Sequence, residues 1–395
     1  MNKKLFIFAI HPIMYQTPIF RELDEYVKKE KIKLESKVYF GDDLSLREVY
    51  FKEINTVFKP DIPFLMEGYE YEFLKNYSLS SKPRLLSRIN PAICRVLYRE
   101  KYDAILVHGY DTISAWLAVF SSKLVNTKVI WRGEAVLRGN ETKLTAKNLV
   151  KKVILRFFFK NCDKVLYSCT GNRKYLEYYG VKSGNMYEIP CAVNNFYFQN
   201  EGKKYDSNMT KRRLGITLEK YVVLFSARFT KRKRPLDLLR AIEIIDHEKI
   251  VVLFVGDGPE RAEMEAYCKK NGIDAVFTGF LNQSKISEYY KISDLCIVVS
   301  EYDPSPKAMN EAMNFSVPVI VTDVVGTAND LVQDGENGYI VKVGNINQIS
   351  KRIDELQKNR KKSKMMGLKS FEIVNQWNYK KDVKGIVDAV MSATN

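Results

Sequence analysis

At 395 residues the chain is too long for one ordinary core and fits two domains of about 150–200 residues each. Hydrophobic residues make up 46% and aromatics 12%, which excludes a disordered chain; no apolar run approaches the ~18–20 residues of a membrane-spanning helix. The net charge of +16 asks for an acidic partner: phosphate-bearing substrates or an anionic membrane surface rather than nucleic acid, since no helix-turn-helix, zinc-finger or RNP-like signature is present.

Leu5 to Ile10 is a continuous apolar run and predicts a buried parallel strand. His11-Pro12 ends it, and a helix starts within Tyr15 to Leu23, with Thr17 and Pro18 as a cap-then-proline signal. Lys37 to Phe40 predicts a second strand, while the segment from about 42 to 100 has weak patterning and yields no element. Asp103 to His108 is a further strand, followed by a helix from Thr112 to Val125 and strands at Lys128 to Trp131 and Lys164 to Tyr167. A helix at Asn172 to Tyr179 stops at Gly180. Strand ends such as His108 and Arg132-Gly133-Glu134 fall on the carboxyl edge of such a sheet, where open α/β sheets bind ligands. Lys147 to Lys160, read as a helix, sets Leu149, Val153 and Phe157 on one side and Lys147, Lys151 and Lys160 largely elsewhere. It suits an anionic bilayer or a core-facing helix with a solvated lysine face equally.

From Gln199 to Gly215 the composition turns to Asn, Gly, Lys, Ser and Asp, which predicts a linker at 201–215 between an N-terminal domain at 1–200 and a second domain at 216–375. Strands at Tyr221 to Phe225, Val251 to Val255, Val276 to Phe280, Leu295 to Ser300 and Val317 to Thr322 alternate with helices at Leu236 to Ile245, Glu260 to Lys270 and near 284–292, 306–314, 327–333 and 346–358. The fold class is therefore α/β, with two doubly wound, Rossmann-like domains facing a cleft.

The richest stretch is Ser300 to Gly338. Ser305 and Pro306 predict a helix start, Ser as the cap and Pro at the first helical position, with the amides of Lys307 and Ala308 at an end that attracts phosphate. Glu311 follows Lys307 by one turn, and Asp303 lies upstream of the cap. Two carboxylates flanking a phosphate-binding helix end suit a nucleotide sugar; the plain alternative is a surface ion pair.

Other motifs fall in a fixed order: Arg228 and Lys233, five apart; Gly256-Asp257-Gly258-Pro259; Gly279-Phe280 ahead of a Tyr-Tyr-Lys-Ile-Ser-Asp helix end; Asp303 and Glu311 followed by Ala312-Met313; Pro318-Val319-Ile320; and Asn337-Gly338. In that order and spacing the second half resembles the donor domain of GT-B glycosyltransferases, in particular the retaining glycosyltransferase family 4. The resemblance is strong over about 215–345 and weaker over 1–200. It implies that Arg228 and Lys233 hold the donor diphosphate, that Glu311 holds the ribose and Asp303 the donor sugar, and that Gly256, Gly258, Phe280, Ser305, Pro306, Lys307 and Ala308 bind the rest of the donor. It also implies a UDP- or GDP-sugar, no cofactor and no metal. The leaving phosphate then takes the acceptor's proton on the same face, without a protein nucleophile. Residues 376–395 are implied to return to the N-terminal domain.

The sequence departs from that family at three places. The leading Glu of its E-x7-E motif is Asp303, one methylene shorter. Its Gly-Gly loop after the first strand is replaced by Met14-Tyr15-Gln16-Thr17-Pro18, and its His after the strand near 130 by Trp131-Arg132-Gly133-Glu134. Thr17, His108, Arg132 and Glu134 are the candidates for the acceptor side or reacting centre, against structural readings as an ion pair or a satisfied core histidine.

The expected function is transfer of a sugar to a glycan or a lipid-diphosphate-linked acceptor in bacterial surface polysaccharide assembly. Rival readings are a nucleotide-sugar 2-epimerase, for which three dispersed histidines are poor material, and a non-catalytic nucleotide-sugar-binding protein. An NAD-dependent oxidoreductase is disfavoured because no G-x-G-x-x-G follows the first strand. The six cysteines form no CxxC pair, which suggests a reducing compartment. The apolar run near the start is too short for a signal peptide. The expected location is the cytoplasm, with peripheral attachment to the inner membrane face as the setting for a lipid-linked acceptor.

Overall fold

The computed structural model describes residues 2–51, 56–58, 65–78 and 84–395. They divide into two units, one drawn from Met1–Val49, Ile62–Cys191 and Tyr379–Asn395, the other chiefly from Ala192–Asn378. Each is built around one parallel sheet whose central strands, such as Leu5 to Ala9 and Ile250–Val255, read as uninterrupted apolar runs, because helices cover both of their faces; the edge strand Tyr71–Phe73 is exposed.

In the first unit seven strands lie in the order Tyr71–Phe73, Leu34–Phe40, Lys3–Ala9, Ala104–His108, Lys128–Gly133, Lys164–Tyr167 and Met186–Glu188. Leu5 to Ala9 and Ala104 to Val107 are fully buried, at about 1.5–3 kcal/mol for each large side chain removed from water. The register sets His108 beside Arg132 at the sheet's carboxyl edge. The first helix, Thr17–Lys29, differs from expectation in its start: Gln16 stands at the cap, Thr17 is already helical, and its hydroxyl donates back to the Ile13 carbonyl at 3.4 Å. Thr112 does cap its helix, accepting from the Ala115 amide at 3.3 Å. The segment near 42–100 supplies the edge strand Tyr71–Phe73 and the helix Ala92–Glu100; parts of that segment lie outside the described residues.

The helix Tyr379–Thr394 belongs to this same unit, packing on the helix Thr17–Lys29 and the strands from Lys128 to Glu188. Lys3 donates to the Thr394 carbonyl at 2.7 Å, and Lys381 pairs with Glu188 at 2.9 Å.

The second unit has six strands in the order Ala275–Phe277, Ile250–Val255, Tyr221–Ser226, Leu295–Val298, Val319–Thr322 and Gly338–Val341. The sixth strand begins within the Asn337-Gly338 turn, where no strand was expected. The segment read as a linker, 201–215, is instead helical over Ser207–Arg213 and lies in this unit. Asp206 accepts from the Met209 amide at 2.8 Å as its cap, and Thr210 donates to Glu288 at 2.9 Å. The polar composition thus reflects an exposed helix, not an unstructured connection.

Among the described residues no helix is long and apolar enough to cross a membrane, and no cluster of three metal-ligating side chains occurs.

Candidate active site

Strands Tyr221–Ser226 and Leu295–Val298 are neighbours in the second sheet, so the loops that follow them meet at its carboxyl edge. The first loop carries Arg228, exposed, and a single 3-10 turn, Lys231–Lys233. The second carries Glu301 to Pro306. They are joined at several points: the Glu301 amide donates to the Arg232 carbonyl at 3.0 Å, Arg232 donates to the Tyr302 carbonyl at 2.5 Å, and Arg234 lies 3.6 Å from Glu301. Lys233 donates to the Asp303 carboxylate, and the two side chains are only 15% and 9% exposed. The Asp303 carbonyl accepts from the Gly326 amide at 2.9 Å, which anchors the loop on its other side.

A third loop packs beneath the first. Gly256 has φ +134°, and a Cβ there would sit 2.0 Å from the Ala227 carbonyl oxygen; one at Gly258 would sit 2.4 Å from that of Phe229. Only glycine admits this approach. The Phe229 amide donates to the Asp257 carbonyl at 2.9 Å, and the Gly256 amide to that of Gly279 at 3.0 Å. Phe280 follows, 43% exposed. The expected donor-side residues Arg228, Lys233, Gly256, Gly258, Phe280 and Asp303 thus lie on loops that are hydrogen-bonded to one another.

The helix after Asp303 is Lys307–Met313, one residue later than expected. Pro306 is extended (φ −67°, ψ 110°) and itself stands at the cap, and no side chain caps the helix. Ser305, buried, instead accepts from Lys307 Nζ at 3.4 Å. Glu311 is 3% exposed and its Oε2 accepts from the Tyr290 hydroxyl at 2.7 Å. Tyr290 is stacked on Phe315 at 5.6 Å, and its hydroxyl also lies 3.3 Å from Ser226 Oγ. Burial, then the Glu311 charge, pushes the Tyr290 phenol well above its ordinary range. The phenol therefore stays protonated and donates, fixing one oxygen of the carboxylate.

Of the candidates in the first unit, His108 is fully enclosed and Arg132 is 3% exposed. Arg132 reaches Asp382, itself fully buried on the helix Tyr379–Thr394, at 3.9 Å. Burial, then the Arg132 charge, holds the His108 imidazole well below its ordinary value, so it stays neutral. Neither ring nitrogen has a partner among the described residues. The structure gives Arg132 a core ion pair with a residue far along the chain. Thr17 is buried and held within its own turn, and Glu134 follows the strand end, half-buried.

Sequence reasoning did not single out Tyr290 or Asp382. Tyr289 and Tyr290 are adjacent and alike in sequence, and nothing local says which one faces a carboxylate. Asp382 sits in an amphipathic helix with no motif around it.

Residues 206–372 match the family described as glycosyl transferases group 1. The N-acetyl-alpha-D-glucosaminyl L-malate synthase of Bacillus anthracis is 25% identical over 304 residues, 76% of this chain and 77% of that protein. The putative teichuronic acid biosynthesis glycosyltransferase TuaC of Bacillus subtilis is 28% identical over 141 residues, 36% of this chain and 34% of its own length. Among solved structures, Anabaena HepE in complex with UDP and glucose superposes with a TM-score of 0.72 at 16% identity, over 99% of this chain and 100% of that one.

Proposed function

The chain is a glycosyltransferase of GT-B architecture whose residues 206–372 carry the group 1 domain, and from that premise we propose that it is a retaining enzyme. In this reading it moves a sugar from a nucleoside diphosphate to a glycan or lipid-diphosphate-linked acceptor in bacterial surface polysaccharide assembly. The observation that carries the reading is the pairing of Lys233 with Asp303, in the same unit as the buried Tyr290–Glu311 contact. A donor diphosphate calls for cations and amide donors, and its sugar and ribose call for fixed acceptors.

In the proposed mechanism Arg228 and Lys233 neutralise the diphosphate, with the amides of Lys307 and Ala308 as further donors. Lys233 then exchanges one anionic partner, Asp303, for another. Asp303 is released to accept from hydroxyls of the sugar. Glu311, held through one oxygen by Tyr290, accepts from the ribose. The bond from the anomeric carbon to the phosphate oxygen breaks as a bond to the acceptor oxygen forms on the same face. The acceptor's proton passes to the departing phosphate oxygen. Charge on that leaving group is what the two cations stabilise most in the transition state. The reading involves no metal, and places the reaction in the cytoplasm at the inner membrane face.

UDP-, GDP- and ADP-sugars offered in turn to the wild-type chain identify the donor by hydrolysis or transfer, and NMR of the product reports the anomeric outcome. Retained configuration supports the proposal. An inverted product, or full activity in Lys233→Ala or Glu311→Ala, overturns it.

A further inference from the structure

The helix Ala146–Lys160 holds five lysines and arginines and no acidic residue. Its core side is Leu155, Phe158 and Phe159. A different side remains uncovered: Leu149, Val150, Val153, Ile154 and Phe157 are 61%, 57%, 60%, 46% and 54% exposed. Their spacing places them on one continuous stripe about 140° wide at the helical repeat. Exposed Lys147 borders the stripe on one side and exposed Arg156 on the other, and exposed Lys160 closes its C-terminal end. Lys151 and Lys152 are turned away toward the core side: the first pairs with Glu141, the second lies 4.0 Å from the Tyr178 ring. An uncovered apolar stripe fringed by cations of one sign has a complementary surface in an anionic bilayer, where hydrocarbon meets the stripe and headgroup phosphates meet the rim.

Beside the stripe runs a groove of about 570 Å³ between this helix and Ile113–Leu124. Leu85, Trp116, Phe120, Val150 and Ile154 form its almost wholly apolar wall, and Lys147 stands at its rim. The edge-on contact of Trp116 with Phe158 (4.8 Å) and the tilted contact of Phe120 with Phe157 (5.8 Å) set the spacing of the two helices. A slot of this volume suits one hydrocarbon chain, with a cation at its mouth for the phosphate to which such a chain is attached.

We propose that the helix Ala146–Lys160 seats this unit on an anionic membrane and that the groove beside it receives one hydrocarbon chain of an anionic lipid. The proposal rests on the reading of a lipid-linked acceptor and deepens it. The surface is the part that recognises the lipid, separate from the donor loops of the other unit.

Trp116 lines the groove, whereas Trp131 and Trp377 are buried in the two cores, so tryptophan emission reports on the groove directly. The full chain is mixed at low salt with phosphatidylglycerol vesicles whose acyl chains are brominated, since bromine quenches only an indole that touches it. Quenching is expected for wild type, is absent in Trp116→Phe, and is lost in Ile154→Glu, which fills the groove's edge with charge at an exposed position. Phosphatidylcholine vesicles give little binding. Lys147→Gln and Arg156→Gln each weaken partitioning about fivefold, and salt weakens it further. No quenching at low salt overturns the proposal, as does equal quenching in Ile154→Glu, or self-association of the free chain through this face in sedimentation with no response to vesicles. The assay contains no donor, and Lys233→Ala is expected to bind vesicles like wild type. A chain that seats on lipid but uses no nucleotide sugar therefore fails the functional reading alone, and one that transfers sugar but ignores vesicles fails this proposal alone.

Discussion

Tyr290 donates to Oε2 of Glu311 across 2.7 Å, with both side chains buried and the phenol proton held in place by the carboxylate charge. Removing the hydroxyl leaves a buried carboxylate oxygen short of a donor. Tyr290→Phe is expected to raise the donor KM about tenfold, the equivalent of ~1.5 kcal/mol for a lost hydrogen bond to a charged group. Tyr289→Phe, one residue away, leaves it unchanged. Steady-state kinetics with saturating acceptor make the comparison.

Lys233 faces two anions in the proposed cycle, Asp303 before the donor binds and the diphosphate after. Lys233→Ala is expected to lower kcat/KM by about 10²–10³, the range for losing one preorganised partner of developing charge. Asp303→Glu lengthens the reach by one methylene and is expected to change the ratio of kcat/KM between two donor sugars while leaving the urea midpoint in place. An unchanged ratio would separate Asp303 from sugar selection.

Gly256→Ala drives a methyl group into the Ala227 carbonyl at a backbone angle few side chains adopt. A loss of about 3 kcal/mol or more is expected in urea unfolding. Gly335 also has positive φ (+83°) but opens onto space, so Gly335→Ala costs about 1 kcal/mol from backbone conformation alone. The difference between the two isolates the cost of the close approach.

Arg132 and Asp382 form a charge pair in the core of the first unit. Asp382→Ala strands a buried guanidinium and is expected to destabilise by about 3–5 kcal/mol, whereas the double substitution Arg132→Met, Asp382→Leu recovers most of that loss. Denaturant titration of the four proteins in a cycle measures both.

His108 adds a pH dependence with a defined sign. Its folded pKa lies well below the ordinary 6.5, so the unfolded chain takes up the proton first as pH falls. Its contribution to stability is fully present above 6.5 and declines below it, at about 1.4 kcal/mol per pH unit until the folded value is reached. His108→Gln is expected to remove that part of the slope between neutral and mildly acidic pH in urea titrations.

The buried strands were legible because a parallel sheet covered on both faces writes itself as an apolar run: Lys164 to Tyr167 is read and found at the same bounds. Gly338–Val341 was missed because it starts inside a turn motif. The helix Ser207–Arg213 was missed because about two turns of mostly polar residues have no apolar stripe to announce them. At the site, sequence order was enough to nominate Lys233, Asp303 and Glu311. It could not nominate their holders, because Tyr290 reaches Glu311 only through tertiary packing. Nor could it tell that Arg132 looks inward, since its partner Asp382 is brought there by the last helix. The cap at Ser305 shifted by one residue because Pro306 remains extended, leaving Lys307 to open the helix.

That last helix also sets an order of events. Residues 379–394 complete the first unit, yet a ribosome delivers them only after all of the second unit has been made. Until then the nascent first sheet waits with Arg132 uncompensated and one flank of its strands uncovered, a window in which chaperone protection matters most. The second unit, whose main segment runs unbroken from Ala192 to Asn378, is free to fold in the meantime. Vectorial synthesis thus favours the second unit first, and the strands of the first unit, although made earlier, reach their finished state later.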